Sequence, residues 1–517
     1  MKLYNNILLK GLAAGAVLLT ASCSDSYLNT SPTEYLDEDA VSGAMQKDPS
    51  KVQAYVTGAY FNLYCGGDYA TSQDNMGYAS LRFATELMCE DLANYYGLNI
   101  GYFDYQLDFR QSNYRRTVAT WRQLYNVIDN ANTIITMLKP AEGESLSSAK
   151  SEAMLGEAYA LRAFCYYWLI NIYQQPLSVG ADQPGIPLKT DSEYRPERVP
   201  VGEVYTQILS DIDNGYKLLE GKGFHSGKGS LSEYSAAAIY ANILMFTGNY
   251  GDAAAYAEKA TAGCSFNTAA DMLGGYNSLD MPEALWGYRV NVETTCFYGS
   301  WMSVIDCYSD GYSGGGFTVL GASELVDRIA DGDVRKGWFG YVADYNEVSG
   351  IDFSLLQNVG GRDFTVYLPD KYRDVYVTSG GTAEPFTSDV IYLTAAEMYY
   401  VAAEAYYLDN QPDKAKDKLE EIMSTRQPGY TCSLTGDALY EEICWQKRID
   451  TWGEGCRYFD AKRRNETIDR AKSVNYDPTL ASMDAVTYSA RDYRMIYQIP
   501  NVEMENNPDI PAGDNNK

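Results

Sequence analysis

Apolar residues recur along most of the chain at the three- and four-residue spacing of an α-helix. Two such faces are formed by Val52, Tyr55, Val56, Ala59 and Tyr60, and by Trp121, Leu124, Tyr125 and Ile128. A longer apolar stripe runs from 156 to 173 and stops near Pro176, because proline cannot continue a helix. Residues three and four apart lie on one side of a helix. The pattern therefore predicts a mostly α-helical protein.

Two later segments have the pattern of paired helices joined by short turns. The predicted helices and turns are 232–246, the turn at 248–250, and 252–262, and then 395–408, the turn at 409–412, and 413–424. Small residues on one face, such as Ala237 and Ala241, allow two helices to approach closely. The pattern matches the tetratricopeptide hairpin, and a generic helix pair would give a similar one.

The stretch from about 264 to 390 has little helical periodicity. It is rich in glycine, aspartate, tyrosine and threonine, with a glycine run at 313–317 and a β-prone run at 365–368. More than a hundred residues is too long for one loop in a compact domain. We therefore expect a loop-rich insertion with short β-strands that covers one side of the helices.

The N-terminal segment has the features of a lipoprotein signal peptide. Lys2 and Lys10 precede and flank an apolar run at 11–20, which is too short to span a bilayer. Small residues then lead to Cys23, the position at which a bacterial lipobox is cleaved and its cysteine lipidated. Leu19 lies one place further upstream than usual, and an ordinary secretory signal with a chance cysteine is the alternative.

These patterns predict the organisation of the whole chain. Residues 1–22 are the signal peptide, 23–40 a lipidated tether, and 41–517 one α-helical domain that carries the insertion. No later stretch approaches 18 uninterrupted apolar residues, so the lipid would be the only attachment to the membrane. The rest of the protein would then lie outside the cytoplasm.

Charge and residue usage exclude several functions. The chain has 41 basic and 69 acidic residues, a net charge of −28 that repels nucleic acid. Its one histidine, His225, lies in a glycine-rich loop and argues against a histidine zinc site or a Ser-His-Asp triad. The ten cysteines contain no C-x-x-C pair. Nine remain after Cys23, so disulfides are allowed but at least one thiol stays free.

An ordered series of fragments resembles one protein family. In chain order these are Tyr27-Leu28, the helix around Trp121, Gly156-Glu157-Ala158, Leu161-Arg162-Ala163, Gly185-Ile186-Pro187-Leu188, Glu283 with Trp286, Asp333 with Arg335, Lys447-Arg448-Ile449, Trp452-Gly453-Glu454-Gly455, Arg457, Phe459-Asp460, Lys462-Arg463, and Ile499-Pro500. Together they resemble the SusD/RagB family of outer-membrane nutrient-binding lipoproteins over essentially the whole length.

The resemblance implies a fold, a location and a partner. The fold would be mostly α-helical, with tetratricopeptide-like hairpins that support a loop-rich half. The protein would be lipid-anchored in the outer membrane and face the cell exterior. It would bind a nutrient glycan without catalysis and deliver it to a TonB-dependent, SusC-type transporter.

The charged signature residues are expected to be structural. Glu157 and Arg162 lie on one predicted helix, and Glu454, Arg457 and Asp460 lie near another. Charges inside a protein need partners, so such residues can be demanded by the fold without contacting a ligand. We therefore predict that they form buried ion pairs.

Ligand binding is expected on two loop segments that combine aromatic rings with polar side chains. A ring covers the apolar face of a sugar, and carboxylates or amides bind its hydroxyls. The candidate residues are Asp91, Asn94, Tyr95, Tyr96 and Tyr102 in the first segment, and Tyr298, Trp301, Tyr308 and Tyr312 in the second. Some of these rings could instead pack the insertion.

The sequence also allows other functions. A family member could bind peptide or another nutrient, and tetratricopeptide-like hairpins also serve as interaction scaffolds. A glycoside hydrolase would need two carboxylates about 5–10 Å apart, and no pair is singled out by the sequence. No cofactor is predicted, although the acidic loop from Asp306 to Asp310 allows a structural calcium ion.

Overall fold

The computed structural model describes residues 51–65, 75–94, 101–140, 145–146, 148–341, 367–477 and 485–517. Helices α1 to α17 are, in chain order, Val52–Cys65, Tyr78–Leu87, Tyr102–Tyr105, Arg115–Leu138, Ala149–Tyr173, Val201–Leu219, Glu233–Thr247, Tyr250–Thr261, Ala269–Met272, Trp301–Ile305, Ser323–Val326, Val375–Thr378, Ala395–Leu408, Pro412–Arg426, Asp437–Asp450, Cys456–Arg464 and Asn501–Asn506. The mostly α-helical fold is confirmed.

The strands are few and short. Strands β1 to β10 are Leu92–Ala93, Leu188–Lys189, Tyr194–Arg195, Ala284–Tyr288, Leu320–Gly321, Phe339–Tyr341, Tyr367–Pro369, Val390–Thr394, Thr467–Asp469 and Thr487–Ser489. They pair two by two and antiparallel, as β1 with β5, β2 with β3, β4 with β8, β6 with β7 and β9 with β10. The predicted signal peptide and tether, 1–40, lie outside the described residues.

The long helices pack in sequence order. Each helix from α4 to α8 contacts the next, and α8 then contacts α13, which packs on α14 and α15. Helices α8 and α13 are therefore neighbours in the fold, although the insertion separates them in sequence. Both predicted hairpins are present, as α7 with α8 and α13 with α14.

Local sequence explains where the hairpin helices begin and end. The Ser232 hydroxyl accepts a hydrogen bond from the Ser235 backbone N–H, and Gly248 ends α7 with φ of 81°. Residues 236–238 of α7 are fully buried alanines, which lets neighbouring helices approach closely. Pro412 is the first residue of α14, where its missing N–H costs nothing.

The first and last strands of the insertion region lie next to each other. Strand β4, near the start of the insertion, pairs with β8, which leads directly into α13. Trp286 of β4 is fully buried, with its ring 5.2 Å from Phe164 and 5.1 Å from Tyr392. The short strands expected within 264–390 are confirmed for the described residues there.

A buried ion-pair network joins the insertion to the helices. Arg426 donates to Glu283 at 2.6 and 2.7 Å and, through Nε, to Asp450 at 2.8 Å. Arg335 donates to Asp333 at 2.6 Å and to Asp450 at 3.3 Å. None of these five side chains is more than 2% exposed. Glu283, Asp333 and Arg335 belong to the insertion, whereas Arg426 and Asp450 end helices α14 and α15.

Other signature residues pair in the same manner. Arg162 binds Asp211 in a bidentate geometry at 2.7 and 2.8 Å. Lys447 contacts Asp460 at 2.8 Å. The Glu157 carboxylate accepts from the Tyr60 hydroxyl at 2.5 Å and lies 2.9 Å from His225 Nε2.

The Glu454 carboxylate accepts from Lys371 at 2.7 Å, and Arg457 donates to Glu90 at 2.5 Å. These contacts complete the set that the sequence singled out. The predicted buried ion pairs are thus present for Arg162, Glu454, Arg457 and Asp460, whereas the buried Glu157 has the Tyr60 hydroxyl and His225 as its partners.

The charge of Asp450 depends on its two arginines. Burial alone would raise its pKa, but Arg426 and Arg335 favour the carboxylate and lower the pKa to about 2. An aspartate in an unfolded chain has a pKa of about 3.9. Because the folded-state value is the lower one, the stability that this charge confers is complete above about pH 4 and is lost as the pH falls towards 2.

Asp450→Asn tests the network. We expect a loss of about 3 kcal/mol in the free energy of unfolding near neutral pH, because two guanidinium groups stay buried with one anion fewer. The loss should shrink as the pH falls from about 4 to about 2, where the wild-type carboxylate itself takes up a proton. Urea unfolding followed by circular dichroism at several pH values measures both effects.

Asp280→Asn is the matched control. Asp280 pairs with Arg289 at 2.5 Å, but its side chain is 76% exposed. An exposed pair contributes at most about 1 kcal/mol. Equal losses in the two variants would contradict the role given to the buried network.

Candidate functional site

A groove of about 570 Å³ lies within the insertion. Its lining comes from three stretches of chain, 292–298, 309–310 and 374–387. Four of the large apolar side chains that are exposed in the described residues line it, namely Val292 (63%), Phe297 (63%), Tyr298 (51%) and Tyr376 (41%). Exposed apolar groups that cluster in one concave place mark a binding surface.

Tyr298 is at the centre of a row of rings. Its ring centroid lies 5.9 Å from that of Tyr312 and 5.7 Å from that of Phe386. It also lines a smaller adjoining pocket of about 230 Å³ with Gly311, Tyr312 and Gly315. Tyr298 is thus common to the lining of both hollows. We call Phe297, Tyr298, Tyr312, Tyr376 and Phe386 the aromatic platform.

A chain of hydrogen bonds holds the segments of the platform together. The Thr295 hydroxyl donates to the Phe386 carbonyl at 2.6 Å and accepts from the Phe297 N–H at 3.2 Å. The Asp374 carboxylate accepts from the Phe386 N–H at 3.0 Å. The Asp306 carboxylate accepts in turn from the Asp374 N–H at 2.7 Å. Hydrogen bonds of Thr295, Asp374 and Asp306 therefore connect the loops that carry the rings.

The glycine run beside Tyr312 is explained by close backbone contact. A Cβ atom on Gly314 would overlap the carbonyl oxygen of Ser309. The Ser303 hydroxyl accepts from the Tyr312 N–H at 3.2 Å, which fixes the same loop from the other side. The loop can place Tyr312 beside Tyr298 because no side chain stands at 314.

Two residues of the aromatic platform have strained backbones. Phe297 has φ of 49° and Phe386 has φ of 59°. This left-handed region costs a residue other than glycine about 1–2 kcal/mol. Strained residues of this kind cluster at functional sites, where the surrounding structure keeps them in place.

The groove is acidic. Asp310 and Glu384 are exposed at its edge, and its described lining contains no lysine or arginine. Burial raises the pKa of Asp306 beneath it to about 7, although two backbone N–H groups favour its charged form. A ligand that is neutral or positively charged suits this environment better than an anion does.

The structure brings together only part of the predicted ligand set. Tyr298 and Tyr312 lie side by side in the aromatic platform. Tyr308 is half-buried, with its ring 3.9 Å from the Arg373 guanidinium. Tyr102 is half-buried in another aromatic group, with its ring 5.3 Å from that of Phe103.

Three of the predicted contacts lie in the interior. Trp301 is 2% exposed, because its ring packs edge-on against Phe83 at 6.0 Å and Tyr372 at 5.3 Å. Asp91 is 1% exposed and pairs with Arg448. Asn94, three residues further along the chain, is fully buried. These side chains present no surface to a ligand in this structure. Tyr95 and Tyr96 lie outside the described residues.

Sequence reasoning missed Phe297, Tyr376 and Phe386 as residues that line the groove. Tyr376 and Phe386 follow Tyr298 by more than seventy residues, and no spacing rule relates the two stretches. The available signal was weak. It consisted of aspartates that cap short turns next to aromatic residues, as Asp374 does two residues before Tyr376.

The described residues contain neither a cluster of metal ligands nor a membrane-spanning helix. In the part of the chain that the structure describes, no group of three or more His, Cys, Asp or Glu side chains is placed to hold a metal ion. The carboxylate of Asp306, in the acidic loop that allows a calcium ion, accepts backbone hydrogen bonds from Tyr308 and Asp374. None of the described helices is both long and apolar enough to cross a bilayer.

Comparisons with known proteins agree with this architecture. Residues 27–245 match a SusD-like family model described as starch-binding associating with outer membrane, and residues 307–513 match the model of the SusD family. No curated protein sequence matches the chain.

Solved structures show the same fold. A SusD-like carbohydrate binding protein from Bacteroides vulgatus is 19% identical with a TM-score of 0.73, over 90% of this chain and 98% of that chain. A SusD superfamily protein from Bacteroides thetaiotaomicron is 18% identical with a TM-score of 0.72, over 90% and 99%. Surface glycan-binding protein A from Bacteroides uniformis is 16% identical with a TM-score of 0.63, over 90% and 99%.

Substitution of Phe297 tests the strain. Phe297→Gly should be about 1 kcal/mol more stable to unfolding than Phe297→Ala, because glycine adopts a positive φ without the steric cost. Val292 is equally exposed and has no positive φ, so there the order should reverse, with alanine the more stable. Urea denaturation of the four variants measures both differences. Equal ranking at the two positions would show that Phe297 is not strained.

Proposed function

We propose that this chain, which belongs to the SusD/RagB family, binds a neutral glycan on its aromatic platform and delivers it to a TonB-dependent SusC-type transporter. Binding is non-covalent, and no reaction follows it. The observation that carries the proposal is the exposed ring of Tyr298, which lies between Tyr312 and the buried Phe386 in an acidic groove.

The chemistry of a sugar fits this groove. One face of a pyranose ring carries C–H groups, which pack on an aromatic ring, and its edge carries hydroxyls that need hydrogen-bond partners. Tyr298 offers a half-exposed ring, and the exposed carboxylates of Asp310 and Glu384 accept from hydroxyls. Hydrogen bonds fix the backbone of the loops that carry the rings, so little backbone freedom is lost on binding.

Charge narrows the class of glycan. The described lining of the groove carries carboxylates and no cationic side chain, and the whole chain has a net charge of −28. Uronic acids and sulfated sugars would bring further negative charge into this field. We therefore infer a preference for neutral oligo- or polysaccharides. The family model described as starch-binding is consistent with that preference.

The proposed location rests on the N-terminal segment. Lipidation of Cys23 would hold the mature protein on the outer membrane with the binding groove outside the cell. A nutrient glycan too large for simple diffusion then needs a transporter in the same membrane. The similarity to a surface glycan-binding protein and to a family model described as associating with the outer membrane supports this proposal.

Tyr298→Ala tests the glycan site. Loss of a central anchoring ring should weaken binding about tenfold, which is about 1.4 kcal/mol. Affinity electrophoresis through gels that contain neutral polysaccharides, starch among them, measures the retardation. Gels with uronic-acid polysaccharides should retard the wild-type chain little. Analysis of the same mixtures for released sugars should find no product.

Tyr194→Ala is the matched control, because Tyr194 is 54% exposed but lies on strand β3, outside the insertion. It should bind as the wild type does. Equal binding by the two tyrosine variants would refute the platform as the site. Release of sugar by the wild type, lost in Asp310→Asn, would favour a hydrolase.

Cys23→Ala tests the anchor. The wild type should sediment with the outer membrane, incorporate labelled fatty acid and be cleaved by protease added to intact cells. The variant should lose the label and leave the membrane fraction, whereas Cys264→Ala, which changes a partly exposed cysteine in the folded domain, should behave as the wild type. Wild-type protein in the cytosol without label would overturn the proposed location.

A further inference from the structure

Two cysteines far apart in sequence meet beside the aromatic platform. The Cys65 and Cys296 sulfurs lie 3.3 Å apart, although 231 positions separate the residues. Cys65 is the last residue of α1 and is 8% exposed. Cys296 is partly exposed and directly precedes Phe297 and Tyr298. A disulfide bond is about 2.05 Å long, so a sulfur movement of a little over 1 Å would join them.

The surroundings hold both thiols in place. The ring of Tyr64, beside Cys65, stacks on Tyr288 with centroids 4.1 Å apart and planes within 3° of parallel. On the other side, Thr295 ties the loop to Phe386 through its hydroxyl. The two sulfurs therefore face each other from elements that are each fixed independently.

Cys296 is also the more reactive partner. The hydrogen bond between the two sulfurs lowers the pKa of Cys296 to about 7, with a further contribution from the Tyr64 hydroxyl, while burial opposes the shift. The same hydrogen bond raises the pKa of Cys65. A partly exposed cysteine with a lowered pKa is the thiol that attacks a disulfide, because the thiolate is the nucleophile.

The structure assigns Cys65 and Cys296 as a disulfide of the mature protein, which ties the loop carrying Phe297 and Tyr298 to helix α1. The assignment rests on the proposed function, because it requires the oxidising side of the membrane. It extends that function, since the bond would hold the central ring of the glycan site.

The bond forms by thiol–disulfide exchange with an oxidised dithiol protein. The Cys296 thiolate attacks one sulfur of that disulfide and displaces the other as a thiolate. The Cys65 thiol then gives up its proton and attacks the Cys296 sulfur, which releases the second catalyst thiolate. Two electrons and two protons leave the cysteine pair, and the catalyst becomes a dithiol.

Peptide mapping tests the bond directly. The lipidated full chain is isolated from membranes, denatured with an alkylating agent present, and digested without reduction. Mass spectrometry should find the Cys65 and Cys296 peptides joined and lacking two hydrogens, while fully buried Cys165, inside α5, is alkylated. Alkylation of both Cys65 and Cys296 in most molecules would overturn the assignment.

Binding measurements test the consequence. Cys65→Ser and Cys296→Ser should each weaken binding of the best-retained neutral polysaccharide several-fold and to the same extent. Reductant should weaken the wild type likewise and leave both variants unchanged. Unaltered affinity in the variants would overturn the role of the bond in the site.

The two proposals fail separately. Joined peptides in a chain that binds no polysaccharide would keep the disulfide and refute the glycan function. Separate peptides in a chain that binds well would refute the disulfide alone. Thermal unfolding provides a second readout, because reductant should lower the Tm of the wild type but not of Cys65→Ser, in which the long loop is already open.

Discussion

Buried arginine and lysine side chains fix the position of the insertion against the helices. Arg426 can remain inside the protein only because Glu283, from the insertion, and Asp450, from α15, both bind it. Lys371 likewise reaches Glu454 from the insertion at 2.7 Å. A buried guanidinium without its partners would be strongly destabilising, so any displacement of the insertion is opposed at these points. The loop that carries Asp374 and two rings of the aromatic platform, Tyr376 and Phe386, begins directly after Lys371.

Much of this arrangement could be predicted from the sequence. Helical periodicity located both hairpins to within a few residues, since a helix buries a face that recurs along its own chain. Buried pairing of Glu454, Arg457 and Asp460 was predicted from the cost of burying an unpaired charge, whereas the pairing of Glu283 and Arg335 was not predicted. The need for a partner follows from the charged residue types themselves, so a single sequence was enough to predict that those first three residues pair.

The candidate site could be predicted only in part. Tyr298 and Tyr312 were found because both lie in one aromatic segment, whereas Tyr376 comes from a stretch brought near only by folding. Trp301 lies in the same segment as Tyr298 yet is buried against Phe83, from α2. Whether a ring in a loop faces water depends on such distant contacts, and no local pattern specifies them.

The most direct test is the crystal structure of the mature chain with a bound neutral oligosaccharide. We expect a sugar ring stacked on Tyr298 within the acidic groove. The sugar hydroxyls should donate hydrogen bonds to the carboxylates at the edge of the groove. The ion pairs of Arg426 should be the same as without ligand, because a rigid base presents the rings. A sugar bound away from Tyr298, or an insertion that shifts and breaks those ion pairs on binding, would contradict the proposed rigid glycan site.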